Sequence, residues 1–503
     1  MNAWSVRGGV LLLGALAVLG FAPFSLPHAV LPAPIFALAG LFWLLRDPAW
    51  RARDAALLGA LFGLGFFLAG VSWVYVSLAT FSGLDAPVAA LATLLFCAYL
   101  AVFPALACAL YVRWRGASSA ILSALLFAAT WTFSEWLRGT LFTGFPWLAA
   151  GYAHTPPSLL AGYAPVVGVY GVGGISVLLA ALLVQLIDGT RKQRFQRGAL
   201  ILALYSVGSL LSAMPWTQPT GNPTRVSLLQ GDVPQSLKWD PERLQLSFDR
   251  YLALARKPDP QEAATPQLLV LPETALPLIY DAIPREVLAS LAADSDVLFG
   301  AAVRTEDDGY VNAAVAIEKG LPGAPQVYAK RHLVPFGEYA PPGFDWFFTL
   351  LRIPMSAFTA GAPQQPPLKL ATQRIAPNIC YEDLFGEELL PGLANASVLI
   401  NLSNTAWFGK SLAQPQHLQI AQMRALETGR VMLRATNSGM TAMITPDGAV
   451  AAQLPPFTIG RLDVLAQGYS GLTPYAKWGN ALVLTLAAGI IAFAARRKRQ
   501  NVI

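Results

Sequence analysis

The sequence predicts a polytopic α-helical membrane bundle of about eight spans carrying one α/β extracytoplasmic domain. Three observations predict it. Charged residues are 13% of the 503 and hydrophobic residues 55%, against roughly 25% charged in an ordinary soluble domain. Runs of about 20 apolar residues, the length that crosses a bilayer, recur through the first 215 positions and once near the C-terminus. Charge is also unevenly spread. Residues 1–215 hold 11 basic and 5 acidic side chains, residues 216–495 hold 20 and 24, and Arg496, Arg497, Lys498 and Arg499 follow. This composition excludes a disordered chain, a disulfide scaffold and a simple cytosolic enzyme. The net charge of +6 does not point to nucleic acid, because the large central domain is net acidic.

The eight apolar spans fall at roughly 8–24, 28–45, 56–78, 87–112, 118–137, 167–187, 198–214 and 478–495. The first resembles a signal peptide in having Arg7 ahead of an apolar run. Six more spans follow closely, which favours a retained helix. Loop charge alternates. Arg7, then Arg46, Arg51 and Arg53, then Arg113 and Arg115, then Arg191, Lys192, Arg194 and Arg197, and finally the tail mark every second loop. The loops 22–27 and 77–87 have neither Lys nor Arg. By the positive-inside rule the basic segments and both termini are cytoplasmic. Residues 216–477 are then extracytoplasmic, periplasmic in a Gram-negative cell. The expected division is 1–215 for seven spans, 216–477 for the soluble domain, and 478–503 for the last span and tail. Gly168, Gly171, Gly173 and Gly174 read as close helix packing. Glu135 and Arg138, at the end of the fifth span, read either as functional groups or as an internal ion pair.

Pro215 to Pro223 is a turn-rich linker. Beyond it, strands are predicted at 225–229, 267–272, 297–303, 311–317, 326–328, 375–380 and 397–402. Helical patterns lie near 241–255, 284–293 and 414–430. This alternation predicts a layered α/β domain. Cys97 and Cys108 lie within the fourth span as small buried residues. Cys380 is alone in the extracytoplasmic domain, with no disulfide partner there.

Three strand ends carry groups that packing would not choose. Glu273 follows Leu-Val-Leu-Pro, Lys330 follows Val-Tyr-Ala, and Cys380 follows Ile-Ala-Pro-Asn-Ile. Each alone also fits a bland role: a cap, a solvated strand end, a core thiol. Together they suit nucleophilic chemistry. A thiol needs a base, because the thiolate attacks, and a tetrahedral intermediate needs a cation or donors for its oxyanion. No metal-spaced His/Cys cluster or phosphate loop is present.

The stretches Pro-Glu273-Thr, Tyr-Ala-Lys330-Arg-His-Leu-Val-Pro-Phe-Gly-Glu338 and Asn-Ile-Cys380-Tyr-Glu382 resemble the carbon–nitrogen hydrolase (nitrilase) superfamily with its Glu-Lys-Cys triad. The whole chain resembles the bacterial apolipoprotein N-acyltransferase family. Gln230 to Trp239, Glu135 to Gly139, Phe142 to Trp147 and Ser403 to Gly409 carry the likeness further. Thr405 departs from it, where the family more often has Asp, as does Lys410, where an acid is usual.

The resemblance implies an αββα sandwich and a two-step acyl transfer at the bacterial inner membrane. Glu273 is then the base, Cys380 the nucleophile and Lys330 the oxyanion partner. The donor is a phospholipid, phosphatidylethanolamine by preference, and the acceptor is the α-amine of an N-terminal diacylglyceryl-cysteine. No cofactor or metal is implied, and a monomer is expected.

Supporting roles also follow. Glu338 stands beside Lys330 or Glu273, Tyr381 and Glu382 flank the nucleophile, and Trp239 and Trp407 face lipid or cover the site. Asn312 orients pocket groups or merely packs. His332 reads as a packed neighbour and His417 as structural. A membrane-anchored amidase or nitrilase with the same triad is the alternative, and a transporter or sensor with an inactive domain is a more distant one. A topology reporter fused at Gly309 should register as extracytoplasmic; a cytoplasmic signal would overturn the orientation.

Overall fold

A computed structural model describes residues 3–24, 33–116, 119–234, 244–256, 265–320, 323–343 and 358–500. The expected site residue Trp239, the start of the second span and the start of the helix expected at 241 lie outside these residues. The chain forms two compact units. One holds Met1–Tyr75, Asp85–Met214 and Lys477–Ile503; the other holds Val76–Leu84 and Pro215–Ala476.

The first unit is helical. Ala52–Val71, Ala86–Trp114, Ala120–Arg138, Leu159–Gln185 and Arg191–Ser212 are long and apolar enough to cross a membrane. Trp4–Gly20 and Ala33–Leu45 are shorter apolar helices. Ala481–Gln500 covers the last expected span and ends in the basic tail. Local chemistry sets the helix starts. Ser119 Oγ accepts from Leu122 N at 3.3 Å, and Thr190 and Gln193 form a reciprocal cap.

Of the four clustered glycines, Gly173 and Gly174 do bring helices together. A Cβ on Gly174 would lie 2.5 Å from Thr132 Oγ1. Gly168 does something else: its φ of +62° interrupts the helix. Glu135 and Arg138 form an internal knot. Their side chains are 3.9 Å apart. Arg138 donates to the carbonyls of Phe145 and Trp147 at 2.6 and 2.7 Å, and Glu135 accepts from Ala150 N at 3.0 Å. Buried charges require such partners, and these fix the 139–150 turn against its own helix.

The second unit is a sandwich of two six-stranded sheets. The strands are β1 (Gln218–Gln230), β2 (Leu268–Val270), β3 (Asp296–Arg304), β4 (Tyr310–Ile317), β5 (Gln326–Ala329), β6 (Leu368–Leu370), β7 (Gln373–Ile379), β8 (Val398–Ser403), β9 (Val431–Thr436), β10 (Ala442–Ile444), β11 (Val450–Gln453) and β12 (Gly460–Ser470). One sheet runs β12-β1-β2-β3-β4-β5 and the other β11-β10-β9-β8-β7-β6. In each, three central strands are parallel: β1-β2-β3 and β7-β8-β9.

Strand alternation builds the layers, since successive side chains face opposite sides. Val226, Leu228, Leu268, Val270 and Leu298 meet Ile375, Val398, Ile400, Leu402, Val431 and Leu433 between the sheets. The alternate residues Leu269, Leu271, Val297 and Phe299 face the outer helices Leu244–Arg256 and Arg285–Leu291, packing on Phe248, Tyr251 and Leu288. Leu399 and Met432 pack on Leu418, Ala421 and Ala425 of the helix Ala413–Thr428. The result is an αββα arrangement.

The expected linker at 215–223 proves to be largely strand. β1 begins at Gln218 and pairs with β12, and its register shifts between Thr220 and Thr224. Gly221, with φ +64°, absorbs the irregularity; Pro223 lies inside this bulge, where a proline is tolerated, while Pro219 stands opposite Tyr469 ahead of it. Ile400 is fully buried between the sheets. Ile400→Ala should cost about 2–5 kcal/mol, read as a lower denaturation midpoint of the full chain in detergent.

Candidate active site

The parallel strands deliver polar residues to one end of the sandwich. Glu273 follows β2, Cys380 follows β7, Asn404 follows β8 and Asn437 follows β9, while Lys330 follows β5. Polar groups at carboxyl ends of parallel strands are the usual site location in layered α/β folds.

Glu273, Lys330, Glu338 and Asn312 form one buried cluster. Lys330, only 1% exposed, donates from Nζ to Glu338 Oε1 at 2.9 Å and to Glu273 Oε1 at 3.4 Å. Asn312 donates to the same two oxygens, at 2.8 Å for Glu273 and 2.7 Å for Glu338. The second oxygen of each carboxylate is fixed by backbone: Glu273 Oε2 by Asn404 N at 2.9 Å, Glu338 Oε2 by Val334 N at 2.7 Å. One cation and one amide thus keep two carboxylates together. Burial, the largest influence, works against the Lys330 charge. The charges of Glu338 and then Glu273 overcome it, and Lys330 is held above the ordinary lysine value.

The approach of β3 to Glu273 depends on Gly300. A Cβ there would lie 2.5 Å from Glu273 Cα. The next residue, Thr274, turns out of the strand with φ +52°.

Cys380 is partly buried and also takes φ +52°. A non-glycine residue rarely occupies this left-handed region; such strain persists where surroundings over-determine it. They do so here. Asn401 Nδ2 donates to Cys380 O at 3.3 Å and to Asn378 Oδ1 at 2.6 Å. Glu382 accepts from Ile379 N at 2.6 Å, Arg331 N at 2.6 Å, His332 N at 3.2 Å and Tyr328 Oη at 3.0 Å. This carboxyl ties the nucleophile turn to the chain just past Lys330. Burial raises it to about 7, against the pull of Lys330 and the three backbone donors. Below the turn, Asp383 accepts from His417 Nε2 at 2.8 Å and from Arg434 at 2.6 Å. Burial pushes the Cys380 thiol well up, the Glu273 charge adds to this, and Lys330 opposes it. The resting sulfur is therefore held as the thiol.

The remaining expected residues are distributed around this centre. Tyr381 is buried, its ring 5.1 Å from that of Phe385. His332 stacks on Phe385 at 3.5 Å and meets Glu388 at 3.1 Å, so it is a packed neighbour. Trp407 accepts at its carbonyl from Ser77 Oγ at 2.8 Å and meets the Phe81 ring edge-on at 5.5 Å. Thr405 is buried, and Lys410 Nζ lies 5.6 Å from the Phe457 ring centre. Among the described residues no group of three His, Cys, Asp or Glu could hold a metal ion. Sequence reasoning missed Asn404, Asn437, Asp383 and Arg434. Asn437, a polar residue directly after a buried strand, carried the same signal as Glu273.

Residues 225–467 match the carbon–nitrogen hydrolase family and residues 13–182 the apolipoprotein N-acyltransferase N-terminal domain. An apolipoprotein N-acyltransferase of Nitrosomonas europaea is 45% identical over 99% of this chain and 100% of its own. That of Ralstonia nicotianae is 46% identical over 97% and 93%. A carbon–nitrogen hydrolase superfamily protein of Xanthomonas campestris of known structure is 18% identical, with a TM-score of 0.37, over 55% of this chain and 97% of its own.

Asn312→Leu keeps side-chain size and removes both donors. Acylation of Cys380 should fall about 10–100-fold, matching the roughly 1–3 kcal/mol of buried acceptors left unmet, with little change in the far-UV circular dichroism.

Proposed function

We infer the course of the reaction from one premise: this chain belongs to the apolipoprotein N-acyltransferase family. It is a membrane-embedded enzyme that N-acylates lipoproteins. The finer reading rests on the cluster around Cys380. A protonated thiol, a carboxylate fixed by three donors and a buried ammonium stand together at one end of the sandwich.

In the first half, Glu273 takes the Cys380 proton and the thiolate attacks an ester carbonyl of a phospholipid, phosphatidylethanolamine by preference. The Lys330 ammonium balances the oxyanion. The C–O bond breaks, the lysophospholipid alkoxide takes the proton back from Glu273, and a thioester remains on Cys380. In the second half, the α-amine of the diacylglyceryl-cysteine attacks the thioester. Glu273 accepts a proton from nitrogen, the C–S bond breaks, and the thiolate is reprotonated. Atoms and charge return to the starting state. Glu338 and Asn312 hold Lys330 and Glu273, Glu382 holds the nucleophile turn, Tyr381 shapes the pocket beside it, and Trp407 faces the incoming lipid.

Eight spans, with both termini cytoplasmic and residues 216–477 periplasmic, match the loop charges. The protein then acts as a monomer in the inner membrane. Both substrates are lipids whose chains each gain about 0.8 kcal/mol per buried CH₂, which accounts for a large apolar helical unit. An amidase with the same triad has less support, because hydrolysis of a small amide requires at most one anchor.

Purified protein incubated with phospholipid labelled in its acyl chain should acquire a hydroxylamine-sensitive adduct that Cys380→Ala lacks. Active wild-type protein without an adduct would sink the thioester scheme. A diacylated lipopeptide with a blocked α-amine should then fail to discharge the label.

A further inference from the structure

Asn437 takes no part in the scheme above, yet its side chain is saturated. Asn437 is fully buried. Its Nδ2 donates to Val233 O at 2.8 Å and to Asn404 Oδ1 at 3.2 Å. Its Oδ1 accepts from Val233 N at 3.0 Å and from Tyr251 Oη at 3.4 Å. Two donors and two lone pairs are the whole capacity of an amide. Only one amide orientation satisfies this set, because Val233 presents a carbonyl to one side and an N–H to the other. The backbone is engaged as well: Asn437 N donates to Ser403 O at 3.0 Å, and Asn437 O accepts from Asp232 N at 2.8 Å.

The consequence reaches Glu273 through Asn404. Asn404 holds Glu273 Oε2 with its backbone N–H, while its side-chain oxygen is held by Asn437. The direction of that N–H depends on the conformation of Asn404, which sits just past the end of β8 with φ −123° and ψ 89°. The other end of the chain of contacts is Asp232-Val233, just past β1. It is pinned by Asn437 and by Arg250, which donates to Gly231 O and Asp232 O at 2.9 and 3.1 Å. Three strand ends, β1, β8 and β9, therefore meet in one amide.

We propose that Asn437 and Asn404 form a positioning relay that fixes the Glu273 carboxylate for proton transfer. The inference rests on the reading of Glu273 as the base. The side-chain partners of Asn437 are Val233, Tyr251 and Asn404, so it acts on Glu273 through Asn404. One oxygen of Glu273 faces Lys330 and Asn312, and the relay sets the other. Loosening Asn404 lets the carboxylate rotate away from the thiol.

The test follows iodoacetamide labelling of Cys380 in the full chain in detergent, from pH 5 to 10, by mass spectrometry. Glu273→Gln is the reference. It should slow labelling at pH 7 and displace upward the pH limb along which wild-type labelling is expected to rise. Asn404→Ala and Asn437→Ala should each slow labelling at pH 7 on the order of tenfold and move the limb upward. The double variant should be no slower than the slower single one, as members of one network are non-additive. Asn404→Ala keeps the backbone N–H and carries the test if Asn437→Ala does not fold. Folded single variants with the wild-type profile, or fully additive effects, would overturn the relay alone. A wild-type profile in Glu273→Gln would overturn the base assignment, and the relay with it.

Discussion

A buried ammonium governs this site. Lys330 has lost almost all contact with water, and an isolated charge there would cost several kcal/mol even after relaxation. It is tolerated because Glu338 and Glu273 face it and Asn312 bridges both. The dependence is mutual, since two carboxylates so close would repel each other without the cation. Much of the local architecture serves this group. Val334 N holds the far oxygen of Glu338, Asn404 N holds that of Glu273, and Gly300 gives β3 its close approach. In the proposed reaction the same cation would balance the oxyanion, so one arrangement would serve both the resting state and the chemistry.

The nucleophile is held by a different device. Cys380 sits in a strained turn at the end of β7, and polar groups brace it from several directions. Asn401 holds its carbonyl, Glu382 caps the residue before it, and Asp383 is locked between His417 and Arg434. These bonds are buried, and a low dielectric makes each one costly to break. Rigidity here would suit the proposed two-step reaction, in which the sulfur first attacks an ester and then holds the acyl carbon for the amine.

The sequence made some of this legible and hid the rest for physical reasons. Glu273, Lys330 and Cys380 stood out because each follows an apolar strand and interrupts it with a group that burial disfavours. The strands β1 to β5, β7 and β8 were readable as short apolar runs alternating with helical patterns, whereas the two-sheet sandwich followed only from the family resemblance. β9 was missed because Arg434 lies in its middle. A charge inside an apolar run reads as a surface position, and only its contact with Asp383 explains its burial. β10 and β11 are three and four residues long, too short for a period to register. Glu382 was read as a flank of the nucleophile; its bonds to Tyr328 and to the backbone of Arg331 and His332 are contacts that no local pattern carries. Residues 76–84 looked like a span end and a loop. Their place in the second unit depends on Ser77 and Phe81 meeting Trp407, contacts across more than 320 residues that no local pattern carries.

The net charge of +6 also takes its meaning from this architecture. The excess lies in the loops of the helical unit and in the tail, while the catalytic unit is mildly acidic and concentrates its essential charges in the interior. The central claim is that the Lys330 ammonium is what permits two carboxylates side by side at the site. It is tested by the melting temperatures of Lys330→Met and of Lys330→Met combined with Glu338→Gln. Without the cation, two buried carboxylates face each other across Asn312. Lys330→Met should melt well below wild type, and removing one of the two carboxylates in the double variant should recover much of the deficit. A double variant as unstable as Lys330→Met would contradict the claim.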